Sequence, residues 1–467
     1  MKSKIKINFV CQECGYDTPS WYGKCPECGE WNSMKEMKVA PVSAQSPTGF
    51  VSQTSAKPQK LQDVVYSEKS RIQTNYNELN TVLGGGIVTG SVSLIAGDPG
   101  VGKSTLLLQL SLSLAENGKQ VLYVSGEESS GQVKMRATRI SEHSDSHKSP
   151  QPPLRKGGVP QDGGLKSEDN LYLVSMTDTD AIVGQIEEMK PDFVVIDSIQ
   201  TIESQNVSGL SGSVGQVRYS ALQFVRVAKA LDIPIMLVGH VTKEGMVAGP
   251  MVLSHMVDTV LFLEGEKFAK TRILRSLKNR FGPVDEVGIF LMEGDGMIEV
   301  SNPEQLFLTA TGPTSNAPTP GSVLVATLEG SRAFLVELQA LVVSTRLPMP
   351  RRVVSGLDGR RVELLLAVLQ KHCRLPLDTM DVFVNVAGGL KLSDPAIDLG
   401  VCLAVYSSLR NVALTKTVGI AEVGLLGELR MVSGLEKRVK EAGKLGYKSV
   451  ITAKTHKSLK DVIASLS

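Results

Sequence analysis

The chain has 467 residues, too many for one ordinary core, so two or three domains are expected. Its 42% hydrophobic and 21% charged content excludes a disordered chain, and a net charge of +2 leaves any nucleic-acid surface to local clusters. No apolar run approaches the ~20 residues of a membrane helix, segment 1–10 lacks a secretory core, and six cysteines, four of them in two close pairs, point to metal in a reducing cytoplasm.

The first predicted element is a metal finger over residues 1–35. Cys11-x-x-Cys14 and Cys25-x-x-Cys28 are separated by ten residues. Each pair can turn two thiolates onto one ion, and two such pairs complete a tetrahedral Zn²⁺ site. A module this small needs that metal to fold. Trp21 and Trp31 flank the second pair and are expected to cover its core. Residues 1–40 set six lysines against five acids, so nucleic-acid contact and protein docking both stay open for the finger. Residues 36–60 are rich in Ser, Pro, Gln and Lys and read as a linker.

From residue 61 to 300 the pattern is αβ. Asn77–Leu83 reads as a short amphipathic helix, and Gly84-Gly85-Gly86 turns into an apolar strand over 91–96. Gly97-Asp98-Pro99-Gly100-Val101-Gly102-Lys103-Ser104-Thr105 follows, and a helix over 106–115 comes after it. G-x-x-x-x-G-K-[ST] between a strand and a helix is a phosphate-binding loop. Its glycines let backbone N–H groups approach an anion, Lys103 can neutralise the outer phosphates of a nucleoside triphosphate, and the Ser104 hydroxyl can hold Mg²⁺.

The next strand, Gln120–Ser125, runs into Glu127 and Glu128. A carboxylate at the carboxyl end of a parallel strand faces the nucleotide crevice. Glu127, nearer the strand end, is the preferred residue to orient and deprotonate the attacking water. Residues 141–170 lose all periodicity and read as a surface insertion. Asp192–Ile199 contains a buried strand ending near Asp197, which is placed to hold Mg²⁺ opposite the loop serine. The Gly- and Ser-rich stretch 204–216 suggests a mobile loop, and Ile233–His240 is a further buried strand. His240 is either a sensor of the γ-phosphate or a structural hydrogen bonder.

Strands over 259–263 and 271–277 lead into Lys278-Asn279-Arg280-Phe281-Gly282. Six basic and no acidic residues lie between Lys267 and Arg280. Lys278 and Arg280, two apart on an extended segment, face the same side. Both could reach one phosphate, which in a ring would belong to the neighbour's nucleotide; the alternative is a solvated basic face. Residues 301–321 are a Pro- and Gly-rich boundary, and strands begin again over 322–328 and 333–342. Residues 346–374 hold seven Lys/Arg against two acids, with the doublets Arg351-Arg352 and Arg360-Arg361. This is the expected DNA-backbone surface, with a basic subunit interface as the alternative.

Taken together, the finger, the loop 97–105, Val124–Ser129, Val195–Gln200, Val238–Lys243, Lys278–Gly282 and Asp381–Val386 resemble the bacterial DNA-repair ATPases of the RadA (Sms) family over nearly the whole chain. Lys278–Gly282 is the most specific of these. The resemblance implies an α/β protein with a RecA-like P-loop ATPase core, an N-terminal four-Cys zinc finger and a C-terminal Lon-protease-like α+β domain over 322–467. It also implies ATP, Mg²⁺ and Zn²⁺ as cofactors and a hexameric homo-oligomer. The implied partners are single-stranded or branched DNA and the recombinase RecA, engaged in branch migration during recombinational repair. A nucleotide-gated DNA-binding scaffold is the alternative. Against the Lon serine motif, Ala396 falls where the nucleophile should be, and Glu436 falls at the lysine position. Both catalytic groups of that protease are therefore missing.

Overall fold

The computed structural model describes residues 6–11, 17–18, 20–27, 29–39, 60, 71–144, 169–240, 250–265, 270–294, 296–300, 308, 319–447 and 449–466. The chain forms two compact units. One comprises residues 1–264, 274–284 and 292–298, and the other comprises 265–273, 285–291 and 299–467. Among the described residues no helix is long and apolar enough to cross a membrane.

The finger is a three-stranded antiparallel sheet. Strand β1 (Lys6–Cys11) lies between β2 (Asp17–Thr18) and β3 (Met34–Val39). Pairing from Cys11↔Met34 to Lys6↔Val39 carries the finger past the expected boundary at 35, so the first residues of the expected linker are strand. Polar and apolar residues are equal in number here and do not alternate strictly, which hid the pairing. The expectation for the tryptophans also fails. Cys11, Cys25 and Met34 fill the small core with Phe9 against it, and Trp21 and Trp31 stand 56% and 67% exposed. Cys14, Cys28 and residues 40–59 lie outside the described residues.

The first unit opens with a hairpin of β4 (Arg71–Ile72) and β5 (Ile87–Val88) around the helix α1 (Asn77–Val82). Five strands then run parallel, namely β6 (Val92–Gly97), β7 (Val121–Ser125), β8 (Leu171–Ser175), β9 (Phe193–Asp197) and β10 (Ile235–His240). Then β11 (Thr259–Glu264) joins β6 in parallel, and β12 (Thr271–Asn279), β13 (Val287–Glu293) and β14 (Gly296–Glu299) extend the sheet. The nine strands lie in the order β14-β13-β12-β11-β6-β10-β9-β7-β8. Strands β6, β7 and β9 are buried along their whole length, which is why they read in sequence as unbroken apolar runs rather than alternating ones.

Helices α2 (Lys103–Glu116), α3 (Ser130–Ser144), α4 (Thr179–Met189) and α5 (Val214–Leu231) connect these strands. The Asp178 carboxylate caps α4 at the Ala181 N–H, and Asp232 ends α5 in a left-handed conformation. Helix α3 runs to Ser144, so the expected break at 141 comes late; residues 145–168 lie outside the described residues. Strand order across β6-β10-β9-β7-β8 is that of an α/β nucleotide-binding sheet, whose crevice lies outside the carboxyl ends of the strands.

The second unit holds a six-stranded mixed sheet of β15 (Ser322–Glu329), β16 (Arg332–Ser344), β17 (Arg352–Ser355), β18 (Met380–Val386), β19 (Thr417–Ile420) and, after the short hairpin β20 (Glu422–Val423) and β21 (Leu429–Arg430), β22 (Ser449–Thr452). Its order is β17-β18-β16-β15-β19-β22. With α6 (Pro250–Ser254) in the first unit, the next described α-helices are α7 (Gly359–Cys373), α8 (Asp398–Arg410), α9 (Leu435–Lys444) and α10 (Leu459–Leu466). Helix α8 carries the apolar centre of this unit, with Leu399, Cys402, Leu403, Ala404 and Val405 fully buried.

Candidate active site

The loop 97–105 leaves β6 and enters α2 at Lys103. Two glycines of the loop are fixed, Gly97 by a backbone neighbour and Gly102 by its own backbone conformation. A Cβ on Gly97 would lie 2.3 Å from the Leu263 carbonyl oxygen, and one on Gly102, at φ +109°, would lie 2.3 Å from Met292 Cε. Lys103 is buried, and its Nζ donates to the carbonyls of Gly97 and Asp98 at 2.8 and 2.9 Å. Burial lowers its pKa to about 8 against the opposing pull of Asp197, Asp98 and Glu127.

Parallel pairing sets the opposite wall. His240 of β10 is level with Gly97 of β6, and Asp197 of β9 is level with Ser125 of β7. Asp197 is thereby brought to the crevice beside the loop. Its Oδ2 accepts from the Tyr123 hydroxyl at 2.6 Å. Burial and then the Asp197 charge push that phenol well above its usual range, so it stays protonated and donates. Glu127 follows β7, and its Oε1 accepts from Ser198 Oγ at 2.5 Å and lies 3.3 Å from His240 Nε2. Gln200 Nε2 donates to the His240 carbonyl at 3.1 Å. Glu128 turns away to Arg136 at 2.7 Å.

The loop lysine, Asp197, Glu127 and His240 are thus drawn together by one sheet edge. Tyr123, Ser198 and Gln200 were missed. The only signal was a hydroxyl or amide inside or beside an otherwise apolar strand. Of the stretch 204–216, expected to be a mobile loop, residues 214–216 begin α5, and the buried Gln216 Nε2 donates back to the carbonyls of Ser204 and Val207 at 3.1 and 2.6 Å. The residues after His240, through 249, lie outside the described residues.

The signature at the end of β12 divides by role. Asn279 donates to the Leu83 carbonyl at 3.1 Å and accepts the Phe281 N–H at 2.9 Å. Gly282 lies against Gly84 so closely that a Cβ on either would fall within 2.9 Å of the other's Cα. Arg71 donates to the Phe281 carbonyl at 2.6 Å. Lys278 and Arg280 do face one side, toward the segment after α6. Lys278 Nζ donates to the carbonyls of Ser254 and Val257 at 2.6 and 2.8 Å, and Arg280 pairs with Asp258 at 3.2 Å. Burial and the Arg280 charge hold Lys278 below its usual range.

The arginine doublets are largely engaged within the second unit. Arg351 forks onto the buried Asp381, with Nε and Nη2 at 2.8 and 2.6 Å from Oδ2. Arg352 donates to the carbonyls of Met380 and Leu377. Arg361 pairs with Asp398 and donates to the Val423 carbonyl at 3.0 Å. Arg360 is exposed, and its backbone N–H is held by the Asp358 cap at 3.0 Å. Three of the four expected phosphate contacts therefore have acceptors in their own fold, supplied by residues remote in sequence. Ala396 is fully buried, Glu436 is exposed on the first turn of α9, and Arg438 Nη1 instead ties Asp394 to the Ala326 carbonyl at 2.5 and 2.6 Å.

For the metal, Cys11 and Cys25 are drawn into one buried core, and Cys11 Sγ lies 3.2 Å from Ser33 Oγ. Convergent thiols in a small fold suit Zn²⁺. Among the described residues no group of three or more metal-ligating side chains is assembled.

Comparison with known proteins follows the same division. The family described as an AAA domain matches residues 55–246, and the rubredoxin metal binding domain matches residues 9–36. The chain is 46% identical over 452 residues to the DNA repair protein RadA of Bacillus subtilis (strain 168), covering 96% of this chain and 93% of that protein. It is 44% identical over 456 residues to the DNA repair protein RadA of Listeria monocytogenes serovar 1/2a, covering 97% and 93%. Among solved structures, the crystal structure of the RadB recombinase aligns with 49% of this chain and 99% of its own at 21% identity, with a TM-score of 0.37.

Proposed function

Since the chain belongs to the RadA family of DNA repair proteins, we propose that it is a DNA-stimulated ATPase of recombinational repair, a hexameric ring that moves on single-stranded or branched DNA and promotes branch migration with RecA. The observation that carries this reading is the meeting of the phosphate loop with Asp197 and Glu127 at one sheet edge.

The loop N–H groups and the start of α2 take the phosphates of ATP. Lys103 exchanges the carbonyls of Gly97 and Asp98 for phosphate oxygens. Ser104 and Asp197 are the residues that would hold Mg²⁺, and when bound that ion supplies charge neutralisation on the phosphates. Glu127, with one oxygen held by Ser198 and His240, keeps the other for the attacking water and takes its proton. His240 is then placed to carry the state of that carboxylate into the segment that follows it. Lys278 and Arg280, released from Ser254, Val257 and Asp258, complete the site of the adjacent subunit. Arg360 and the exposed flank of Arg351 meet the DNA backbone, and the finger holds Zn²⁺ through Cys11, Cys14, Cys25 and Cys28. With Ala396 and Glu436 in place of the serine and lysine, the C-terminal unit is a platform and not a peptidase.

The test is steady-state ATPase with nucleotide binding measured alongside. Lys103→Ala should lose both. Glu127→Gln should lose ~10³-fold or more in kcat while still binding ATP. Full turnover by either variant would refute the site, and turnover without strand displacement on forked DNA would favour a nucleotide-gated scaffold.

A further inference from the structure

We propose that Tyr123 is a positioning residue of this ATPase, its phenol fixing the Asp197 carboxylate in the orientation that presents one oxygen to the magnesium ion. The inference rests on the reading of Asp197 given above and extends it to a residue deep in the sheet.

The geometry is specific. Tyr123 sits in the middle of β7, with no solvent exposure, in a strand otherwise composed of Val121, Leu122, Val124 and Ser125. Parallel pairing sets it level with Val195, two residues before Asp197. The length of a tyrosine side chain spans those two residues, and the hydroxyl meets Asp197 Oδ2 at 2.6 Å. A buried phenol has one proton to give and must find an acceptor for it. Here the acceptor is a carboxylate, so the bond is charge-assisted and directional. A carboxylate with Oδ2 occupied turns Oδ1 away from the strand. The backbone at this point is held as well, because the Asp197 carbonyl accepts the Gly126 N–H at 2.8 Å. Lys103 makes its described hydrogen bonds to Gly97 and Asp98 and acts on this group through charge, without the direction of a hydrogen bond. Phenylalanine would fill the same core volume. The hydroxyl is what the carboxylate, and not the packing, requires.

Tyr123→Phe in the full chain separates the two roles. The readout is the Mg²⁺ concentration that half-saturates the fluorescence change of an N-methylanthraniloyl ATP analogue, which requires no turnover. The expected result is a rise of ~5- to 10-fold in that concentration, with analogue affinity in EDTA and melting temperature close to wild type. Asp197→Asn and the double variant complete a cycle. Asp197→Asn alone should raise the Mg²⁺ requirement, and adding Tyr123→Phe to it should change nothing further, because the phenol acts only through the carboxylate. An unchanged Mg²⁺ requirement in Tyr123→Phe beside a raised one in Asp197→Asn would overturn the role of Tyr123. So would equal shifts from Tyr123→Phe in both backgrounds, the mark of packing. No effect of Asp197→Asn would overturn the reading of Asp197 itself.

Discussion

Lys103 reaches the crevice as a buried cation whose ammonium rests on two carbonyls of its own loop. With its pKa lowered to about 8, the folded chain gives up this proton before the unfolded one does. The sign follows from linkage. Between pH 8 and the ordinary lysine range the unfolded state binds the extra proton, so this group favours folding more as pH rises. Phosphate reverses the preference, because it stabilises the ammonium. Nucleotide binding above pH 8 should therefore be accompanied by proton uptake, and affinity should fall as pH rises through about 8. Calorimetry in two buffers of different ionisation enthalpy measures the uptake; no buffer dependence would contradict it.

Residues of this kind were legible because a motif and a strand end announce them. Lys103, Glu127, Asp197 and His240 each stand at such a point. Tyr123 and Ser198 do not, since their partners are reached across strands, and a hydroxyl beside an apolar run looks like ordinary core.

Among the elements, the end of β12 shows how a short signature carries two tasks. Asn279 and Gly282 hold the turn at Leu83–Gly84, the Phe281 carbonyl takes Arg71, and Lys278 and Arg280 hold the end of α6 and the segment after it. Gly282 has no spare space, so Gly282→Ala should cost about 1–3 kcal/mol and lower the melting temperature by several degrees. Thermal unfolding checks this, and an unchanged melting point would mean that the turn can move aside. Strands β6, β7, β9 and β10 were readable because burial on both faces leaves an apolar run with a clear end, whereas the half-exposed edge strand β8 went unread. The finger's third strand was not, because β3 alternates weakly and is defined by its pairing with β1. Charge counting over 346–374 did not foresee the pairings of Arg351 and Arg361, for a different reason. Asp381 and Asp398, which neutralise Arg351 and Arg361, lie outside the stretch that was counted. A basic run in sequence measures charge before the fold has used any of it.

At the scale of the whole molecule, the reading is of an engine completed between subunits. Lys278→Ala or Arg280→Ala chains mixed with wild type should depress ATPase below the level set by simple dilution, because each defective chain disables its neighbour. Loss in proportion to the mutant fraction would place both residues in service of their own chain alone. The C-terminal unit enters this reading as a proposed platform, with Ala396 buried and Glu436 exposed at the two positions compared with the protease motif. The finger enters as a metal-dependent module whose two described thiols already share one core.

The central claim is that ATP hydrolysis at this crevice is coupled to DNA in a ring. It is tested most directly by the ATPase rate with and without single-stranded DNA, with particle mass recorded on the same sample. The account predicts a rate raised several-fold by DNA in particles of hexamer mass. An unchanged rate in particles of single-chain mass would contradict it.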